Sequence, residues 1–95
     1  MESPRYMCSH LVRFRTNAKE SVVNLEEIWA TGAVVEAEEP VEKGSRAEIR
    51  TEGAFFAGDV TEVERHEFGW RIRLEFSPMT PWRPEEFRPG HLLEI

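Results

Sequence analysis

The chain has 95 residues, which is enough for one hydrophobic core and predicts a single domain over residues 1–95. Its formal net charge of −6 argues against non-specific binding to nucleic acid, because such binding needs a positive face that displaces counterions from phosphates. The one cysteine, Cys8, excludes an internal disulfide bond, and no apolar run approaches the roughly 20 residues that cross a bilayer. With no signal peptide recognised at its start, the sequence predicts a cytoplasmic protein without a membrane span.

Short segments with period-two alternation, separated by turn residues, are typical of an all-β domain. In chain order these segments are residues 10–15, 21–27, 32–37, 46–51, 54–65 and 70–76. In the fifth segment the apolar phase slips between Val60 and Val63, which indicates a β-bulge, and Gly58 is expected to let a neighbouring backbone approach. The sixth, WRIRLEF, gives the clearest pattern, with apolar side chains on one side and charged side chains on the other.

The last part of the chain, from residue 77 onward, has low strand propensity. Pro84 at a first helical position predicts a short helical turn over Pro84–Phe87. Trp82, Phe87 and Leu92 are expected to pack as a lid over an open end of the sheet. Six strands with regular turns and no long helix predict a small six-stranded antiparallel β-barrel, because closure of the sheet removes exposed edges.

The side chains that carry most enzyme chemistry are scattered. His10, His66 and His91 have no metal-ligand spacing, and Cys8 with His10 has no third group that would orient a nucleophile and its base. There is no pair of carboxylates at catalytic spacing, no glycine-rich phosphate loop and no nucleophile elbow. The sequence therefore predicts a protein that is not an enzyme and that uses no metal or cofactor.

Besides the strand pattern, two stretches of the sequence are informative. They are PRYMCSHLVRF near the start and EIWATG before the third predicted strand. They resemble the two binding signatures of the PilZ domain family, Arg-x-x-x-Arg and Asp-x-Ser-x-x-Gly. Arg5 matches the second arginine, whereas the first arginine falls on Met1. In the second signature Glu27 stands for Asp, Trp29 for Ser and Gly32 for Gly. The resemblance extends over residues 4–78, since FFAGDVTEVERHEFGWRIRLEFSP is similar to the closing hairpin of that family.

This resemblance implies a six-stranded barrel that binds cyclic di-GMP in bacterial signalling. The nucleotide would lie across Arg5 and the turn that contains Trp29, with Arg5 on a phosphate or a guanine and Glu27 on a guanine edge. A guanidinium suits this role because it forks onto phosphate oxygens and stacks on purines. With one arginine instead of two, and an indole where the family has a hydroxyl, we expect binding to be weak or lost. Gly32 is expected to be required by the backbone, either because the turn needs a positive φ at this position or because a neighbouring group approaches closely.

Trp29 has two interpretations that the sequence leaves open. It could be an aromatic platform for a base or for a partner protein, or an apolar cover over the surface that a ligand would use. Arg13 and Arg15 likewise could join Arg5 in a basic cluster, or could keep an exposed sheet in solution.

Arg71 and Arg73 are similarly ambiguous. They could form an outward basic stripe beside the second signature, or pair across strands with acidic residues such as Glu48 or Glu75. Three functional hypotheses follow: a PilZ-like regulatory binding module, a protein-interaction adaptor that docks through Trp29 or residues 78–89 and binds no nucleotide, and a small SH3-like or Tudor-like barrel with a peptide groove.

Overall fold

The computed structural model describes residues 4–95. It contains six main strands, each built from one of the alternating segments of the sequence, and a short seventh strand near the C-terminus. The strands are β1 (Tyr6–Thr16), β2 (Lys19–Trp29), β3 (Gly32–Ala37), β4 (Arg46–Arg50), β5 (Phe55–His66), β6 (Gly69–Phe76) and β7 (Leu93–Glu94).

The six main strands close into an antiparallel barrel, which confirms the predicted fold class. Neighbouring strands follow the order β2-β3-β6-β5-β4-β1, and β1 pairs again with β2 to complete the ring. The short β7 adds to the start of β1, where Tyr6 lies opposite Glu94. Within residues 4–95 no helix is long and apolar enough to cross a membrane.

The barrel interior is filled by the inward-facing side chains that the alternation predicted. Phe14, Leu25, Ile49, Ile72 and Leu74 are all buried within it. Burial of each such side chain contributes about 1.5–3 kcal/mol relative to an exposed position. The period-two pattern therefore carries most of the information that specifies this fold.

The C-terminal segment covers one end of the barrel, as the lid prediction required. Trp82 and Phe87 are buried in the core, and Leu92 packs against it. The indole Nε1 of Trp82 donates a hydrogen bond to the carbonyl oxygen of Phe87 over 2.8 Å. Apolar contacts and the hydrogen bond donated by the buried indole N–H of Trp82 thus hold the lid in place.

The predicted helical turn over Pro84–Phe87 is not formed as a helix. These residues form a turn in which the backbone N–H groups of Glu86 and Phe87 both donate to the carbonyl of Arg83. Pro84 is compatible with a first helical position, but Pro89 lacks an N–H group and disfavours helical geometry at Arg88, so the turn cannot continue as a regular helix.

The pairing shifts register at three places, and only one of them was predicted. One shift lies between Met7 and His10, where β1 pairs with β2. In β5, Val60 lies opposite Leu74 and Glu62 opposite Arg73, so Thr61 is an extra residue at the predicted position. Gly58 in the same strand permits close backbone approach, since a Cβ there would lie 2.0 Å from the carbonyl oxygen of Glu75.

The third shift, a bulge in β2, was not predicted and determines what faces solvent. Leu25 lies opposite Val35 and Glu27 opposite Val34, which leaves Glu26 as the extra residue. One extra residue reverses the faces of all that follow. Ile28 therefore points into the core, and Glu27 and Trp29 lie on the outside of the barrel.

Candidate functional site

The chain before β1 lies beside the end of β2, because Tyr6 pairs with Ile28. This pairing brings Arg5 next to the turn that carries Trp29. The Arg5 guanidinium lies 4.2 Å from the centroid of the Trp29 ring, and its Nη2 donates to Oε1 of Glu27 over 3.1 Å. The structure thus brings Arg5, Glu27, Trp29 and Gly32 into one place; Met1, where the family's first arginine would fall, lies outside the described residues.

Trp29 is 8% exposed but is not part of the barrel core. Arg5 and Arg73 both lie over its ring, with the Arg73 guanidinium 5.1 Å from the ring centroid. Such cation–π contacts contribute about 0.5–2 kcal/mol each. Of the two interpretations of Trp29, this burial favours the apolar cover, because an aromatic platform for a partner needs an open face.

Gly32 accommodates this arrangement through a close approach, not through a positive φ. A Cβ at position 32 would lie 2.4 Å from the carbonyl oxygen of Leu74 and 2.8 Å from Cζ2 of Trp29. Among the described glycines only Gly44 has a positive φ. The indole therefore packs against a strand position where only hydrogen fits.

Glu27 connects two arginines. Its Oε1 accepts from Arg5, and its Oε2 accepts from Nη2 of Arg71 over 2.8 Å. Arg71 also lies 3.9 Å from Glu26, and Arg73 lies 3.8 Å from Glu62. Arg71 and Arg73 thus pair with acidic residues, as one interpretation predicted, but the partners are Glu26, Glu27 and Glu62 and not Glu48 or Glu75.

The space next to these side chains is small. A hollow of about 250 Å³ is lined by Arg5, Glu27, Val34, Glu62, Glu64, Arg71 and Arg73. This volume is below the roughly 300–1,000 Å³ of typical ligand pockets. A second hollow, of about 520 Å³, lies beside Trp29 and Arg73, but Glu62 and Glu75 also line it. Both spaces therefore have acidic side chains where an anionic ligand would need cations.

A second group of charged residues lies next to this one, on the same outer face. Burial, a hydrogen bond with Glu36 and the negative charge of Glu36 together raise the pKa of Glu26 to about 7, against the opposing charges of Arg71 and His66. The same hydrogen bond lowers the pKa of Glu36, whose Oε1 is 3.4 Å from Nδ1 of His66. Glu26 and Glu36 thus share one proton near neutral pH.

Because of the raised pKa of Glu26 in the Glu26–Glu36 pair, we expect the stability of the fold to depend on pH. Because the pKa of Glu26 is raised in the folded state from an ordinary value of 4.5 to about 7, the folded chain holds a proton that the unfolded chain has released. The free energy of unfolding should fall as pH rises from about 4.5 to 7. Urea unfolding of the wild type and of Glu26→Gln across this range measures the effect. The variant, which mimics the protonated carboxyl, should show a flatter profile, and Glu64→Gln should follow the wild type.

Cys8 is half-buried, and its Sγ lies 3.5 Å from the carbonyl oxygen of Leu25. Burial, followed by the negative charges of Glu26 and Glu27, raises the pKa of the thiol from 9.0 to about 12. His10 accepts a hydrogen bond from the backbone N–H of Gly90 through Nδ1, so that nitrogen is already used. The geometry agrees with a structural cysteine instead of a nucleophile.

Iodoacetamide labelling tests this interpretation of Cys8. At pH 8 the native thiol should react about 100-fold more slowly than in the denatured chain, because so little of it is thiolate. Equal rates in the native and the denatured protein would contradict it.

Arg13 and Arg15 do not join Arg5. They lie further along β1, where Arg13 pairs with Arg50 and Arg15 with Glu48 across the β1–β4 ladder. Eight residues of strand separate Arg5 from Arg13, which corresponds to about 26 Å. A basic cluster that contains all three arginines is therefore excluded.

Two residues of this site, Glu26 and Glu62, were not identified as its members from sequence. The pairing of Arg71 was considered, but not with Glu26 and Glu27 as its partners. The doubled glutamate before Ile28 was the available signal, since two polar residues followed by an apolar one break the alternation. No protein-family model matches the chain, and no curated protein is significantly similar to it.

Proposed function

We propose that this chain is a PilZ-like regulatory binding module of bacterial signalling, located in the cytoplasm and without enzyme activity, whose binding of cyclic di-GMP is weak or lost. The observation that carries the proposal is the internal occupation of its site: Glu27 binds Arg5 and Arg71, and Trp29 is covered by Arg5 and Arg73. The residues that match the family signatures lie together, but they contact one another.

The energetics support weak binding. A ligand phosphate would have to replace a carboxylate that already accepts two charge-assisted hydrogen bonds, each worth about 1.5–3 kcal/mol when desolvated and less where solvent screens it. The Glu27 side chain is 20% exposed and that of Arg5 is 42% exposed, so the contact with Arg5 is the weaker of the two. A guanine would in addition have to displace the indole.

Calorimetric titration with cyclic di-GMP tests the proposal. The wild type should bind with a Kd of about 100 µM or weaker. Glu27→Gln removes the competing charge while keeping the shape, and should tighten binding by about tenfold. Arg5→Ala in the Glu27→Gln background should abolish the gain, whereas Arg83→Ala, a change at an exposed arginine outside the site, should not.

Two results would contradict the proposal in different ways. Submicromolar binding by the wild type would show that the internal contacts do not close the site. Absence of binding by both the wild type and Glu27→Gln at about 1 mM nucleotide would remove the nucleotide connection altogether.

If neither the wild type nor Glu27→Gln binds the nucleotide, the adaptor hypothesis becomes the better one. Of its two docking surfaces, Trp29 is buried and so offers little to a partner. In the segment of residues 78–89, Met79 is 87% exposed and remains accessible. Met79→Ser would then be the first variant to examine for loss of a partner.

A further inference from the structure

The first part of β2 is paired on one side only. Residues 19–23 pair with the end of β1, whereas the pairing of β2 with β3 begins at Asn24, which lies opposite Glu36. Beyond β3 the chain leaves the sheet as a loop of residues 38–45. Within residues 4–95 no backbone group forms a hydrogen bond with the other edge of residues 19–23. Alternate N–H and C=O groups along this open edge therefore have no backbone partner.

A groove of about 420 Å³ lies between the open edge and the loop of residues 38–45. Its volume falls within the roughly 300–1,000 Å³ of typical ligand sites. Phe14, Ser21 and Val41 are among the residues that line it. Phe14 is buried and pairs with Ser21, so both side chains lie on the face of the sheet that is directed toward the core. Because Ser21 is small and exposed at this inward-facing position, the space that a larger side chain would fill is open.

The rim of the groove is acidic. Three carboxylates line it, those of Glu38, Glu39 and Glu42, but only one ammonium group, that of Lys19. Lys19 pairs with Glu39. In the described part of the chain, Glu38 and Glu42 form no ion pair, and the neighbouring Lys43 does not line the groove. Two carboxylates beside the open edge thus lack a cation.

We infer that the open edge and its groove bind an extended, basic segment of another protein, which adds to β2 as a further strand. Main-chain hydrogen bonds to residues 19–23 supply the affinity of such strand addition, and the groove beside Ser21 takes one of the alternate side chains. Lysine or arginine side chains of the segment pair with Glu38 and Glu42. The surface shares no residue with the Arg5–Trp29 site, so it is independent of the nucleotide proposal.

A second copy of this chain fits the open edge less well than a basic partner does. Exposed edges of identical strands can pair with each other. That pairing would bring together two acidic rims on two chains that each have a net charge of −6. Nucleic acid is disfavoured for the same reason. The charge of the rim therefore selects the occupant.

The test uses the whole chain and a synthetic peptide of alternating lysine and valine with blocked ends, at low salt. Amide chemical shifts should move at residues 19–23 and 38–42, with a Kd below about 1 mM. Ser21→Leu fills the groove without a change in charge, and should raise the Kd about tenfold or more. A peptide with glutamate in place of lysine should not bind the wild type.

A second pair of variants tests the charges of the rim. Glu38→Gln with Glu42→Gln removes the two carboxylates that lack a cation, and should raise the Kd for the lysine peptide about tenfold. Glu52→Gln with Glu85→Gln is the matched control. It makes the same change in net charge at exposed positions outside the groove, and should bind the lysine peptide as the wild type does.

N-methylation of every second amide of the lysine peptide tests for strand addition. The methyl groups block hydrogen bonds along one edge of the peptide and leave its side chains and charge unchanged. Methylation in one of the two alternating phases should raise the Kd about tenfold or more, and methylation in the other phase should have a smaller effect.

Three results would each overturn the inference: no shift at about 1 mM lysine peptide, equal affinity for the wild type and Ser21→Leu, and equal losses in both methylation phases. Shifts centred on Trp29, or equal binding of the glutamate peptide, would do the same. Shifts at residues 19–23 that depend on protein concentration, without peptide, would make the edge a contact between copies of this chain and would also overturn it.

Discussion

Replacement of Trp29 by serine is expected to lower the free energy of unfolding by about 3 kcal/mol, which corresponds to a fall in Tm of about 12–24 °C for a chain of this size. The indole is 8% exposed, and its removal leaves a space between the strand at Gly32 and two guanidinium groups. Arg5 and Arg73 would also lose their cation–π contacts. Thermal and urea unfolding followed by circular dichroism would measure the loss.

Trp70→Ser is the matched control for this experiment. Trp70 also lies beneath an arginine, with the Arg65 guanidinium 5.2 Å from its ring centroid, but it is only partly buried at the β5–β6 hairpin. Its loss should cost less than half as much. If the two variants were equally destabilised, burial of Trp29 on the outer face would not be the cause.

Replacement of Gly32 by alanine is expected to cost about 3 kcal/mol, near the upper end of what overpacking usually costs. The added Cβ would lie 2.4 Å from the backbone oxygen of Leu74, so either β3 must separate from β6 or the backbone must distort. Because the obstacle is backbone, it cannot be removed by a change of rotamer.

Gly53→Ala provides the comparison, since a Cβ at Gly53 meets nothing within 4 Å. That variant should be neutral or more stable by up to about 1 kcal/mol, through the lower entropy of its unfolded chain. In the Trp29→Ser background, Gly32→Ala should retain most of its cost, because the contact with Leu74 remains. A Gly32→Ala protein as stable as Gly53→Ala would contradict the close approach.

The two positions together describe how the site is closed. Trp29 needs Gly32 beneath it, and Arg5 and Arg73 cover what remains of the ring. Glu27 then satisfies Arg5 and Arg71. Each contact supports the next, so we expect substitutions in this group to be non-additive, with coupling of about 0.5–3 kcal/mol.

The sequence by itself determined the six strands, the bulge after Val60 and the aromatic lid, because each depends on a pattern that is local in the chain. An alternation such as WRIRLEF specifies which side chains face the core whatever the partner strand is. The family resemblance also predicted that Arg5 lies beside the turn with Trp29. The pairing of Tyr6 with Ile28 is the physical reason that the two are close.

Only the tertiary structure decided which way Glu27 and Trp29 face and what they contact. The bulge at Glu26 reverses the faces of the rest of β2. The doubled glutamate breaks the alternation there, but only the pairing with β3 shows which residue is the extra one. The partners of Glu27 come from the start of the chain and from β6, which are both distant from it in sequence. Charge pairing across strands depends on that register, and register is settled by the closure of the whole barrel.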